Sequence, residues 1–312
     1  MSFAFDSAAQ AADAANNAAK TATDRLIWAQ IEAFANRPGH GCFPRCSRAR
    51  VAQGLQERMD DPGKIQLGVT GTCGVASFLY SIARSNRFDY MRLVMDLYEK
   101  GIATLGTAKT GTMTIKPSVG FRNEEPPPED WTPTVDWIAL GSLRDSENWL
   151  FEYHLKEDPF VRASILTWFD KARGVVEGIR GYSTPSDLES WFRKAGFTRI
   201  TNRASTIGSE DWQNVVHANA MQAQGHHVCL LIDADVLYYD SLDSTSLFPN
   251  HWVVLTSQIK VVPHDSVKFT VFTYGDSKRQ VPASPPDKPQ AARSLSQKEF
   301  LNHYYGFVSA SR

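Results

Sequence analysis

Thr70-Gly71-Thr72-Cys73-Gly74-Val75-Ala76-Ser77-Phe78-Leu79 is the stretch on which the reading of this chain turns. A glycine-rich approach runs directly into apolar residues at helical spacing, Val75, Phe78, Leu79 and Ile82. Cys73 therefore stands where a helix begins. The first turn of a helix leaves backbone N–H groups unpaired and carries the positive end of the macrodipole. Both favour a thiolate, the reactive form of cysteine. Gly71 and Gly74 leave room beside the sulfur for a carbonyl to approach. A buried structural thiol is the alternative that this stretch alone leaves open.

Working outward, Met91, Val94, Met95 and Tyr98 continue the helical pattern, and Gly101 supplies a stop. Upstream, residues 7–35 read as one or two helices, 36–48 as a loop and 49–59 as a short helix closed by Asp61-Pro62-Gly63. Downstream, GFRNEEPPPEDWTPT at 120–134 is too rich in Pro and acid for a regular element. Helices are expected at 135–150, 159–173, 185–195 and 210–223. The third of these opens on Ser183-Thr184-Pro185, a cap with Pro in the first turn. Strands come late: 227–232, 251–261 and 267–275, followed by an apolar tail at 300–308. Helices first and strands last make an α+β fold. The expected division is an N-terminal helical extension over 1–60 and a catalytic domain over 61–312, with the acidic Pro-rich loop inserted near 120–134.

Pro249-Asn250-His251-Trp252-Val253-Val254-Leu255 supplies the second chemical group. His251 opens a strand whose apolar run would anchor it. If the two late strands form one hairpin turning between Pro263 and His264, His251 lies opposite Asp276. Facing residues of an antiparallel pair share a side, with Cβ atoms about 5 Å apart. Asp276 is then the carboxylate that orients the imidazole, whereas Asp265 sits at the far end. A bulge of one residue would bring Tyr274 or Gly275 opposite instead.

A Cys at a helix start, a His at the start of a late strand and an Asp at the end of the next strand together resemble the papain-like cysteine peptidases. Thr72-Cys73-Gly74-Val75-Ala76 is most similar to the bacteriocin-processing, C39-like branch. Asn250 to Leu255, with Phe272-Thr273-Tyr274-Gly275-Asp276, also resembles papain-like proteins among bacterial secreted effectors and toxins. The resemblance covers 65–101 and 184–308. It implies a papain-like α+β fold, a helical lobe carrying Cys73 packed on a twisted antiparallel sheet. It further implies a Cys73–His251–Asp276 triad cleaving peptide or isopeptide bonds through a thioacyl-enzyme, with no cofactor and no metal. The family's oxyanion glutamine falls six residues before the Cys, where this chain has Leu67; Gln66 or Thr72 is the expected substitute. Trp252 is expected to line the substrate cleft with Gly71 and Gly74. Peptidoglycan amidases of the NlpC/P60 type and transglutaminase-like acyltransferases share this chemistry, and a non-catalytic adaptor on the same fold is the rival of another class.

Composition narrows the partners. Lys and Arg total 33 against 34 Asp and Glu in 312 residues, a net charge of −1, without the basic excess of nucleic-acid binders. No stretch approaches the ~20 apolar residues of a membrane span. The Ala-rich start carries Asp6 and Asp13 and no basic region, unlike a secretory signal. The expected setting is the cytoplasm of a producing cell, with signal-independent secretion into a target. The expected partners are a protein or peptide substrate and a cognate immunity protein. Four cysteines make no disulfide framework. His40, Cys42 and Cys46 lack a fourth zinc ligand, the glycines at 106–111 lack the ending of a phosphate loop, and Trp131 with the other scattered tryptophans reads as structural.

Overall fold

The computed structural model describes residues 22–66, 72–109, 111–147, 183–206, 211–238, 249, 251–263, 265–282 and 295–312. The helix expected at 159–173 lies outside them.

The helical half comprises α1 (22–35), α2 (Arg48–Asp60), α3 (Cys73–Ser85) and α4 (Arg87–Lys100). A small hairpin follows, β1 (Ala103–Thr107) and β2 (Gly111–Ile115), in the region where phosphate-loop glycines were set aside. Next come α5 (Val119–Arg122) and α6 (134–147), the latter widened into a π turn over Trp137–Gly141. Helix α7 (Pro185–Lys194) starts on a capping box, with Thr184 and Asp187 bonding each other's backbone N–H and Pro185 in the first turn. The sheet half then brings β3 (Arg199–Asn202), α8 (Trp212–Ala223), β4 (His227–Ile232), α9 (Asp235–Tyr238) and β5 (His251–Leu255). It closes with β6 (Lys260–Val262), β7 (Ser266–Thr273), β8 (Asp276–Val281), α10 (Gln297–Asn302) and β9 (Tyr304–Ser311).

The mixed helix-and-sheet class is as expected. The main sheet is antiparallel, ordered β3-β9-β4-β5-β7-β6, with β8 on the other edge of β7. Its central strands are apolar on both faces because both faces are covered. In β4, Cys229 and Leu231 join the core of the helical half, while Val228, Leu230 and Ile232 join a second core. Trp252 and Val254 of β5 divide from Val253 and Leu255 in the same way. The helical core runs on from Ile27, Ile31 and Phe34 through Leu55 to Cys73 and Phe78, with no break at residue 60.

Helix α3 is the axis of this arrangement. It is buried from Cys73 to Ala83 on all sides, more than the one-faced pattern of its apolar residues suggests. Small residues allow the close approach, and Ser81 satisfies its own hydroxyl on the Ser77 carbonyl at 2.8 Å. Tyr80 lies flat on Phe272 of β7, ring centroids 3.9 Å apart, which fixes the helix to the sheet.

The long hairpin expected over 251–275 is instead two strands on one edge of β7. Leu255 pairs with Val271 and Lys260 with Lys268, so five steps on one side span three on the other. One residue of that excess of two is taken up where Thr256 and Ser257 both donate N–H bonds to the Thr270 carbonyl. Strand β7 ends at Thr273, and Tyr274-Gly275 forms a two-residue turn into β8 with φ of 47° and 75°. Positive φ at both central positions is what a type I′ hairpin requires. Among the described residues no helix is long and apolar enough to cross a membrane.

Candidate active site

Cys73 is the first residue of α3, and Thr72 before it makes no side-chain cap, so the opening N–H groups remain available. The backbone N–H groups of Trp252, Gly74 and Cys73 itself each pull the thiol's pKa down. The first of these belongs to the peptide that joins His251 to Trp252. The start of α3 thus packs on the start of β5: Gly74, beside Cys73, lies against Trp252, the residue that follows the imidazole in the chain.

His251 is 5% exposed, and its Nε2 lies 2.8 Å from the Thr273 hydroxyl. Val254 pairs with Phe272, so Thr273 continues the ladder opposite Val253, and His251 is its diagonal neighbour on the same face. The Tyr274 ring lies over the imidazole, 5.0 Å between centroids and 11° from parallel. The bulge at 256–257 and the turn at 274–275 correct the register on which Asp276 was expected to face His251. Asp276 faces Thr273 across the turn, is exposed, and accepts the Lys278 N–H at 2.7 Å. The imidazole's neighbour is a hydroxyl, not that carboxylate. Thr273 was missed because its place depends on the bulge; the signal for it was the Tyr274-Gly275 pair, a turn whose first residue is not one of the usual Asn, Asp or Gly.

The other expected site residues divide. Gln66 adjoins the site, since a Cβ on Gly275 would come 3.5 Å from its own Cβ. Its carboxamide donates to the Trp131 and Asp130 carbonyls at 3.1 and 3.4 Å, so the donor expected for an oxyanion is committed elsewhere. Its backbone N–H goes to Asp136, at 2.9 Å. The Thr72 side chain is buried, and its carbonyl accepts the Ala76 N–H. Gly71 lies outside the described residues. The space beside Gly74 is filled by the protein rather than left for substrate: a Cβ there would meet Ser183 at 2.5 Å and Trp252 at 3.2 Å. Trp252 is not a cleft residue either. It is fully buried, its indole N–H bonded to the Ser183 carbonyl at 2.8 Å.

Burial governs the electrostatics. It pushes the Cys73 thiol above its ordinary value, against the opposing pull of the three N–H groups. It pushes the His251 imidazole down to about 4. At neutral pH the pair therefore rests as thiol and imidazole, not as the preformed thiolate that the helix start led us to expect. Cys42 and Cys46 play no part: the first thiol donates to the Glu99 carbonyl, and the second is pushed up to about 11 by burial. Among the described residues no three His, Cys, Asp or Glu groups converge as metal ligands. No protein-family model matches the chain, and no curated protein or solved structure matches it either.

Proposed function

We propose that the protein is a cysteine hydrolase of the papain-like kind, cleaving peptide or isopeptide bonds, with Cys73 as nucleophile, His251 as base and Thr273 as the residue that orients the base. The observation that carries this reading is the packing of Gly74, next to Cys73, on Trp252, next to His251, which joins a helix start and a strand start remote in sequence. Nε2 and the Thr273 oxygen share a hydrogen bond; proton transfer requires the tautomer in which Nε2–H donates and the Nδ1 lone pair receives the thiol proton. Because both groups rest neutral, that transfer accompanies attack on the substrate carbonyl instead of preceding it. The N–H groups of Cys73 and Gly74 then serve the developing oxyanion. The amine leaves with the proton from His251, and water resolves the thioester. The resemblance to secreted effectors and toxins extends the reading to a producer cell that holds a cognate immunity protein.

A second reading, a binding module on the same fold, draws on the burial of both groups, Cys73 at 7% and His251 at 5% exposure. Peptidyl acyloxymethyl ketones separate the two, because they bring a carbonyl and a leaving group to the sulfur together. The hydrolase should form an adduct at Cys73 by intact mass and peptide mapping. Cys73→Ala should form none and lose all turnover of a casein substrate while its circular dichroism is unchanged. Full turnover by Cys73→Ala ends the hydrolase reading.

A further inference from the structure

The most exposed aromatic side chains among the described residues are Trp131 at 58% and Tyr274 at 43%. Large apolar groups left in water singly are ordinary, but adjoining ones mark a surface that something covers. The backbone at or next to each of them adjoins the same residue. Gln66 donates to the Trp131 carbonyl at 3.1 Å, and its Cβ would lie 3.5 Å from a Cβ on Gly275, next to Tyr274. Tyr274 in turn lies on His251. The Trp131 backbone and the Tyr274-Gly275 turn therefore bracket Gln66, with the Tyr274 ring at the end that lies on the candidate base.

This rim is acidic as well as aromatic. Asp130 precedes Trp131, Asp276 follows the turn, and Asp60 and Asp61 lie just before Gly63, which touches Ser277; all four are exposed. Lys64 and Lys278 are the exposed cations of the same segments, so the carboxylates are in excess. Indole and phenol faces beside carboxylates suit a cation with a flat or long apolar stem, attracted by the rings and by the charge.

Resting on the hydrolase reading above, we infer that this rim is a substrate subsite, and that it selects protein substrates with a Lys or Arg side chain close to the cleaved bond. The occupant is a basic residue of an extended peptide, held on Trp131 and Tyr274 with Asp130 near its charge. This assigns Trp131 and Asp130 to specificity, apart from the proton chemistry at Cys73 and His251.

The test uses the full chain and three peptidyl acyloxymethyl ketones identical except for Lys, Leu or Glu next to the reactive carbon. Rates of adduct formation at Cys73 should favour Lys over Glu by about tenfold or more. Trp131→Ala and Asp130→Asn should each shrink that ratio several-fold, while Val216→Ala, exposed on α8 and remote in sequence from every rim segment, should keep it. Equal rates for the three probes, or a ratio untouched by both rim variants, overturns the subsite and leaves the hydrolase standing. A Leu preference that Trp131→Ala abolishes and Asp130→Asn does not would make the rim apolar-selective and overturn the basic specificity. Failure of every probe to label Cys73 removes the hydrolase reading and the subsite with it.

Discussion

Two buried polar centres, one beside the candidate site and one within it, are built on opposite principles. At the approach to Cys73, Asp136 accepts from Arg58 at 2.6 and 3.2 Å, an ion pair fully out of water, and from the part-buried Gln66 N–H. At the start of β5, His251 and Thr273 form one hydrogen bond between groups that carry no charge at neutral pH. The first is fixed by full charges and three bonds, and it ties α2 and α6 to the segment entering the Cys73 loop. The second can change its proton without breaking an ion pair. The charged centre holds the chain entering the Cys73 loop, and the uncharged centre lies at the group proposed as the base.

The largest test of that contrast is Asp136→Ala. It strands a buried guanidinium and should cost about 3–5 kcal/mol in urea unfolding. Combining it with Arg58→Met should recover much of the loss, because two apolar side chains need no partner. Full loss in the double variant would show that the Gln66 bond, not the ion pair, carries the stability.

The neutral centre should instead announce itself through pH. The folded imidazole titrates near 4 and the unfolded one near 6.5, so the unfolded chain binds a proton first as pH falls. Stability from this group is complete above pH 6.5 and is lost between 6.5 and 4, to a total of about 3 kcal/mol. His227, also held down to about 4 chiefly by burial, has the same sign. The difference between the urea-unfolding curves of wild type and His251→Asn over this range isolates the His251 share. Superimposable slopes would place the imidazole in water.

Smaller still, Thr273→Val removes one partner of a buried bond and should cost about 1–2 kcal/mol. It should lower turnover by about tenfold through a freely turning ring. Asp276→Ala should change stability by less than about 0.5 kcal/mol, as an exposed position, and leave turnover near wild type. A larger turnover effect at 276 than at 273 would restore the carboxylate as the orienting group.

The residues that open elements were legible in the sequence, because glycine, capping and periodicity act locally. Cys73 at the head of α3, His251 at the head of β5, the Thr184–Pro185 entry to α7 and the Gly101 stop follow from such signals. What faces His251 was not legible. It depends on two surplus residues between Leu255 and Lys260 and on a turn that places Tyr where glycine or asparagine is usual. Register is a count between strands, and a bulge alters that count without marking composition. Nor does periodicity distinguish Trp131, exposed in an irregular loop, from the buried Trp252.

Tyr274 holds a backbone shape that bulky side chains adopt with difficulty, with φ of 47°, and its ring covers the imidazole. Asparagine or glycine would relax the bend and uncover the ring beneath. A randomised library at this one codon should thus divide according to how it is sorted. Thermal survival would enrich small residues, and substrate turnover would enrich flat ones.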